Sequence, residues 1–147
     1  MGQGLAQGSD FIQPNIDIFD LLAVSKRKTA SLGPIAVSIG TTDLLTVPKG
    51  EIWKIRGGGA HFSSAAGETF TNLYPIVRCL DMVSFFGAGD NRVPLTGALN
   101  QAASSIQSVI FPVGQLYLPG SVFGYSVAGV VGNPTITLVL MIEVLSV

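Results

Sequence analysis

From Val93 to Ile142 the chain carries no Asp, Glu, Lys or Arg, yet glycine and proline interrupt it repeatedly. This stretch constrains the fold more than any other feature. A membrane-spanning helix needs about 20 consecutive apolar residues. The longest uncharged apolar window, Val122 to Ile142, is broken by Gly129, Gly132, Asn133 and Pro134. These four read as a turn between two strands. The remaining solution is a run of short strands. A solvated sheet face normally shows charge at some alternate positions, and here those positions hold Ser, Thr, Asn, Gln or apolar residues. Both faces of several strands are therefore expected to be covered, one by the core and one by a neighbouring chain.

Composition points the same way. Apolar residues make up 48% of the 147 and charged residues only 12%, against roughly 25% charged in an ordinary soluble domain. Mean hydropathy is +0.53. A chain of this length makes one domain and buries a core without disulfides or metals. The single cysteine, Cys79, excludes an internal disulfide. The net charge of −1 argues against nucleic acid as the main partner, because phosphate binding needs a basic face. No secretory leader is expected, since Met1 to Asp10 has neither a basic start nor an apolar run. A membrane-embedded barrel is excluded by the many short strands and their Gly and Pro interruptions.

Residues 1–33 read as an extended N-terminal arm lying on a partner. Its start is Gly- and Gln-rich, a composition that does not build a core. Ile16 to Val24 admits a short helix, with Asp17 and Asp20 at its start and Lys26, Arg27 and Lys28 at its end. So short a helix needs something to pack on. From Pro34 the period becomes two. Ile35, Val37 and Ile39 alternate with smaller residues, and Trp53 and Ile55 alternate with Lys54 and Arg56. Further strand-like runs cover Glu68–Leu73, Ile76–Phe86, Ser105–Phe111, Gln115–Leu118, Val122–Val131 and Thr135–Val147. In the last run Ile136, Leu138, Leu140, Ile142 and Val144 face one way. Gly57-Gly58-Gly59 reads as a bulge or a close backbone approach, and Gly87 to Ser104 as a long loop. Eight or nine short strands separated by turn residues predict an all-β sandwich or barrel over residues 34–147.

The chemistry-bearing residues are few. One histidine, His61, and one cysteine cannot supply a zinc framework of four ligands, and no G-x-S-x-G elbow accompanies His61. Asp17 and Asp20 fit a helix start, and Asp90-Asn91 fits a turn. The glycine runs lack the G-K-[ST] ending of a phosphate loop. No enzyme activity, cofactor or metal is expected. A cupin-like enzyme would need several His and carboxylate ligands inside the barrel. The aromatic residues do not interleave with Lys or Arg as a single-strand-binding groove requires. Phe85 and Phe86 are adjacent in a predicted strand and must point to opposite faces, so one of them is a candidate interface residue. The candidate interface set is Phe11, Ile18, Phe19, Leu22, Lys26, Arg27, Lys28, Phe85, Phe86 and Tyr117.

Two segments carry a resemblance. Leu44 to Ile55, with Pro48-Lys49-Gly50-Glu51-Ile52-Trp53 at its centre, resembles a corner found in jelly-roll virion proteins of tailed phages. Leu116-Tyr117-Leu118-Pro119-Gly120-Ser121 is similar to a later corner of the same proteins, and the closing strand Thr135 to Val147 is similar too. The likeness covers residues 34–147. It implies a jelly-roll-like antiparallel sandwich of about eight strands. It further implies a capsid decoration (cement) protein on the virion surface, often a homotrimer, that clamps major capsid subunits. No catalytic residues transfer. The alternative within the same fold is a receptor- or carbohydrate-binding module of a tail or fibre.

Overall fold

A computed structural model describes residues 26–79 and 91–147. Among these residues there is no helix, and ten strands form two antiparallel sheets. The strands are β1 (Lys26–Ala36), β2 (Gly40–Thr46), β3 (Glu51–Ser63), β4 (Thr69–Arg78), β5 (Arg92–Pro94), β6 (Leu99–Gln101), β7 (Ile106–Ile110), β8 (Leu116–Tyr117), β9 (Val122–Val131) and β10 (Thr135–Ser146).

The pairing is nested. β1 pairs β10, β2 pairs β9, β3 pairs β7 and β8, and β4 pairs β5 and β6. This is one long hairpin, rolled up when β10 joins β3 and β9 joins β4. The first sheet runs β1-β10-β3-β7, with β8 further along β3. The second runs β2-β9-β4-β5, with β6 further along β4. The chain thus crosses between sheets as a jelly roll does, and the fold expected from the sequence is the fold observed.

Period-two patterning places the core between the sheets. Trp53, Ile55 and Phe62 of β3 and Ile136, Leu138, Leu140, Ile142 and Val144 of β10 point inward from the first sheet. They meet Phe70, Leu73, Val77, Phe123, Tyr125 and Val127 of the second. Aromatic contacts bridge the layers. Trp53 stacks on Phe123 with ring centroids 6.3 Å apart, Tyr117 meets Phe123 edge-on at 4.9 Å, and Phe62 meets Phe70 at 5.2 Å. Offset and edge-on pairs of this kind add about 0.5–1.5 kcal/mol each beyond their burial.

The first strand departs from the sequence reading. Lys26, Arg27 and Lys28 do not end a helix, and the chain between Lys26 and Leu32 is not arm. It forms β1, paired in register from Lys26↔Val144 to Leu32↔Leu138. β10 needs a hydrogen-bonding neighbour on each side, and β3 fills only one of them. The alternating Lys28, Ala30 and Leu32 supply the inward-facing set that the helical reading overlooked. Two further differences concern β4 to β6. The predicted run Glu68–Leu73 and the start of the predicted run Ile76–Phe86 are one strand, β4, which ends at Arg78, and the predicted loop Gly87–Ser104 contains the three-residue strands β5 and β6. Phe11, Ile18, Phe19, Leu22, Phe85, Phe86 and the helix expected over Ile16–Val24 lie outside the described residues.

Candidate interface surface

The outward side of the first sheet is built from the residues that alternate with the core set. β10 contributes Thr137, Val139 and Met141, β3 contributes Gly57, Gly59 and His61, and β7 contributes Ile106, Ser108 and Ile110. The register sets them side by side as Thr137↔His61↔Ser108 and Val139↔Gly59↔Ile110. None carries a fixed charge.

The glycine run gives this face its shape. Ile142 pairs with Ile55 and Met141 with Gly57, so Arg56 is an extra residue and the strand bulges there. Beyond the bulge Gly57 and Gly59 occupy outward positions without side chains. Gly58, which faces inward, has φ 118°. A Cβ at Gly58 would collide with the Val139 carbonyl and come within 2.9 Å of the Leu140 Cα. Only glycine fits this backbone. The result is a shallow groove of about 470 Å³, floored by Gly57–Ala60 and walled by Val109, Ile110, Val139 and Met141. His61 Nδ1 and Ser108 Oγ lie 2.9 Å apart at one end, a cross-strand polar pair on an open sheet surface.

At the other end the character changes. The Glu143 carboxylate, almost fully buried, accepts a hydrogen bond from Arg56 Nε at 2.7 Å and lies 3.7 Å from Arg27 Nε. Arg27, Lys28, Arg56 and Met141 line an adjoining cleft of about 640 Å³. Met141 therefore separates an apolar groove from a cleft edged by cations. Lys28 turns toward the edge of the core. Its Nζ donates to Glu51 Oε2 at 2.8 Å and sits 4.7 Å from the centre of the Trp53 ring. Trp53 Nε1 donates to the same carboxylate oxygen at 2.6 Å. These two hydrogen bonds hold the Glu51 carboxyl below its ordinary value of 4.5. Of the basic triplet, Arg27 and Lys28 thus have acidic partners within the chain, and the Arg27 side chain stays largely exposed.

Tyr117 requires a correction. It was expected at an interface, but only 3% of it is exposed. Its ring packs on Phe123, and its hydroxyl donates to Gln115 Oε1 at 2.8 Å. Burial pushes its phenol up to about 12. Its neighbours Leu116 and Leu118 are the exposed ones. β8 alternates, and the aromatic residue takes the inward side because it fills the gap beside Trp53 and Phe123. Exposed apolar residues that the sequence reading did not single out run along this flank: Ile106, Ile110, Val113, Leu116 and Leu118. The available signal was the alternation Ile106-Gln107-Ser108-Val109-Ile110, whose inward and outward members cannot be told apart without the register.

The two segments that resemble virion-protein corners are brought together. Val47 N–H donates to Ser121 O at 2.8 Å, and Gly120 N–H donates to Val47 O at 2.9 Å. The C-terminal Val147 closes the same corner through Gly50 O at 2.8 Å. These motif residues hold the end of the sandwich together. Among the described residues no group of three or more His, Cys, Asp or Glu could hold a metal ion. No family model, no curated protein and no solved structure matches the chain.

Proposed function

We propose that this chain is a virion structural protein that decorates and stabilises a capsid. It self-associates, as a homotrimer by the resemblance, and docks on major capsid subunits. The observation that carries the reading is the uncharged centre of the first sheet's outward side, continuous with the apolar β7–β8 flank. A solitary soluble chain keeps such a surface small. Covering it with other polypeptides removes apolar area from water at about 25 cal/mol per Å². An interface of about 1,600 Å² is enough for a specific contact. Repetition over a shell multiplies weak contacts through effective concentration.

The cation-edged cleft at Arg27 and Arg56 supports an acidic patch on the docking partner. The mechanism is adhesive, and no bond is made or broken. The test is the mass of the purified chain by sedimentation, alone and mixed with candidate shells, together with the thermal stability of those shells. An oligomer that binds a shell and raises its melting temperature is the expected result. A chain that stays monomeric at every concentration and stabilises no shell sinks the reading.

A further inference from the structure

The four sheet edges are not alike. β1 carries Lys26, Arg27 and Lys28, a register shift between Leu32 and Ile35, and Pro34, which has no N–H. β2 carries Asp43 and a register shift beside it. β5 and β6 are three residues each, and β5 ends on Pro94. Charge, proline, bulges and short length are the usual ways of blunting an edge against pairing. β7 has none of these. It is Ile106-Gln107-Ser108-Val109-Ile110, uncharged and without proline, and among the described residues it pairs only with β3.

The backbone of β7 can be assigned group by group. Phe111 N–H donates to Gly58 O at 3.0 Å, and Ser64 N–H donates to Ser105 O at 3.0 Å. Hydrogen-bonded pairs alternate along an antiparallel ladder. Gln107 and Val109 therefore bond to β3, while Ile106, Ser108 and Ile110 turn their N–H and C=O groups to the open side. Ile106 is 72% and Ile110 82% exposed.

We propose that β7 pairs antiparallel with β7 of a second copy, across a two-fold axis at Ser108. The strand is self-complementary in this register. Ile106 meets Ile110 of the second copy, Ser108 meets Ser108, and Ile110 meets Ile106. All three pairs are hydrogen-bonded ones, each exchanging two N–H···O bonds, and they use the residues whose backbone groups have no partner among the described residues. A register moved by one residue would offer Gln107 and Val109, which are already bonded to β3. The pairing also sets isoleucine against isoleucine on the outward face and joins two first sheets into one. The contact is isologous and closes on itself. A homotrimer would close through a different patch, and β7 would then link one oligomer to the next.

The inference rests on the self-association proposed above, and its test separates the two. A Ser108→Cys substitution on a Cys79→Ser background places two thiols at the axis. There the Cα atoms of a hydrogen-bonded pair lie about 5.5 Å apart, inside the range a disulfide spans. Mild oxidation should give a reducible species of twice the chain mass. Ile110→Lys sets a charge against Ile106 of the second copy and should halve the mass of the fully assembled species, weakening association at least about tenfold. The double variant Ile106→Glu/Ile110→Lys makes each cross-copy pair Glu opposite Lys and should restore the mass. If Ile110→Lys keeps the wild-type mass and the Ser108→Cys protein does not cross-link, the β7 contact is overturned while self-association stands. A wild-type chain that is monomeric throughout overturns both.

Discussion

Single side chains set the pH range over which the sandwich holds. Glu51 accepts hydrogen bonds from Lys28 and Trp53, which lower its pKa in the folded state below 4.5. A group lowered on folding binds fewer protons folded than unfolded. Its contribution is complete above the unfolded value and disappears as pH falls through the folded one. The melting temperature should therefore drop as the medium is acidified below about pH 5, and Glu51→Gln should flatten that part of the profile. Tyr117 works at the opposite end. Its phenol, pushed up to about 12 by burial, stays protonated in the folded state while the unfolded phenol ionises near 10.0. Stability is unaffected below the unfolded value and falls as pH rises toward 12. Phenolate absorbance followed against pH should show a late component that ionises with unfolding, and Tyr117→Phe should diminish it. Gly58 tests the backbone. Gly58→Ala forces a Cβ into the Val139 carbonyl at φ 118°, and a loss of about 2–4 kcal/mol is expected in chemical denaturation.

At the scale of elements, the strands with strict alternation were legible in the sequence. β10 and the Trp53-Ile55 part of β3 present the inward residues that their period assigns. The Pro48-Lys49-Gly50 and Pro119-Gly120 corners lie where their turn residues set them. What could not be read was whatever depends on a distant partner. β1 has a charged start that imitates a helix end, and only its pairing with β10 shows it to be a strand. Pro75 lies inside β4 although proline has no N–H to give. Its carbonyl accepts Leu95 N–H at 2.8 Å, so its missing donor falls where the chain crosses from β5 to β6. A proline is tolerated in β4 because its ring nitrogen faces the β5–β6 side, past the end of β5, while toward β9 it stands opposite Tyr125 in a position that needs no N–H. The misplaced first strand yields a prediction. A chain beginning at Pro34, the domain start that the period change suggests, strips most of β1 from β10, opens an edge whose single charge is Glu143 and takes away that residue's Arg27 partner. It should melt well below a chain beginning at Lys26, or aggregate, and differential scanning calorimetry on the two distinguishes these outcomes from no effect.

For the whole molecule, the deciding quantity is where charge sits. The first sheet carries its ionic groups at one end, around Arg27, Arg56 and Glu143. Its centre and its β7–β8 flank are uncharged. The second sheet's outward side is polar: Asp43 takes Arg78 in a two-point ion pair, and Arg92 Nη1 reaches Thr41 Oγ1 at 3.0 Å and Ser126 Oγ at 2.9 Å. The two outer faces thus differ in character, one polar and the other uncharged over its centre and flank. Salt separates the contacts that follow. Burial of apolar surface does not weaken with ionic strength, whereas attraction between exposed charges is screened over about 10 Å at 0.1 M. Self-association through the uncharged face should persist or strengthen as salt is raised from low to molar concentration. Docking of an acidic partner on the Arg27–Arg56 cleft should weaken over the same range. Sedimentation and shell binding measured across one salt series check both at once. Oligomers that dissociate in salt would mean that the copies meet through the ionic end of the sheet, and that the uncharged face is left to the shell.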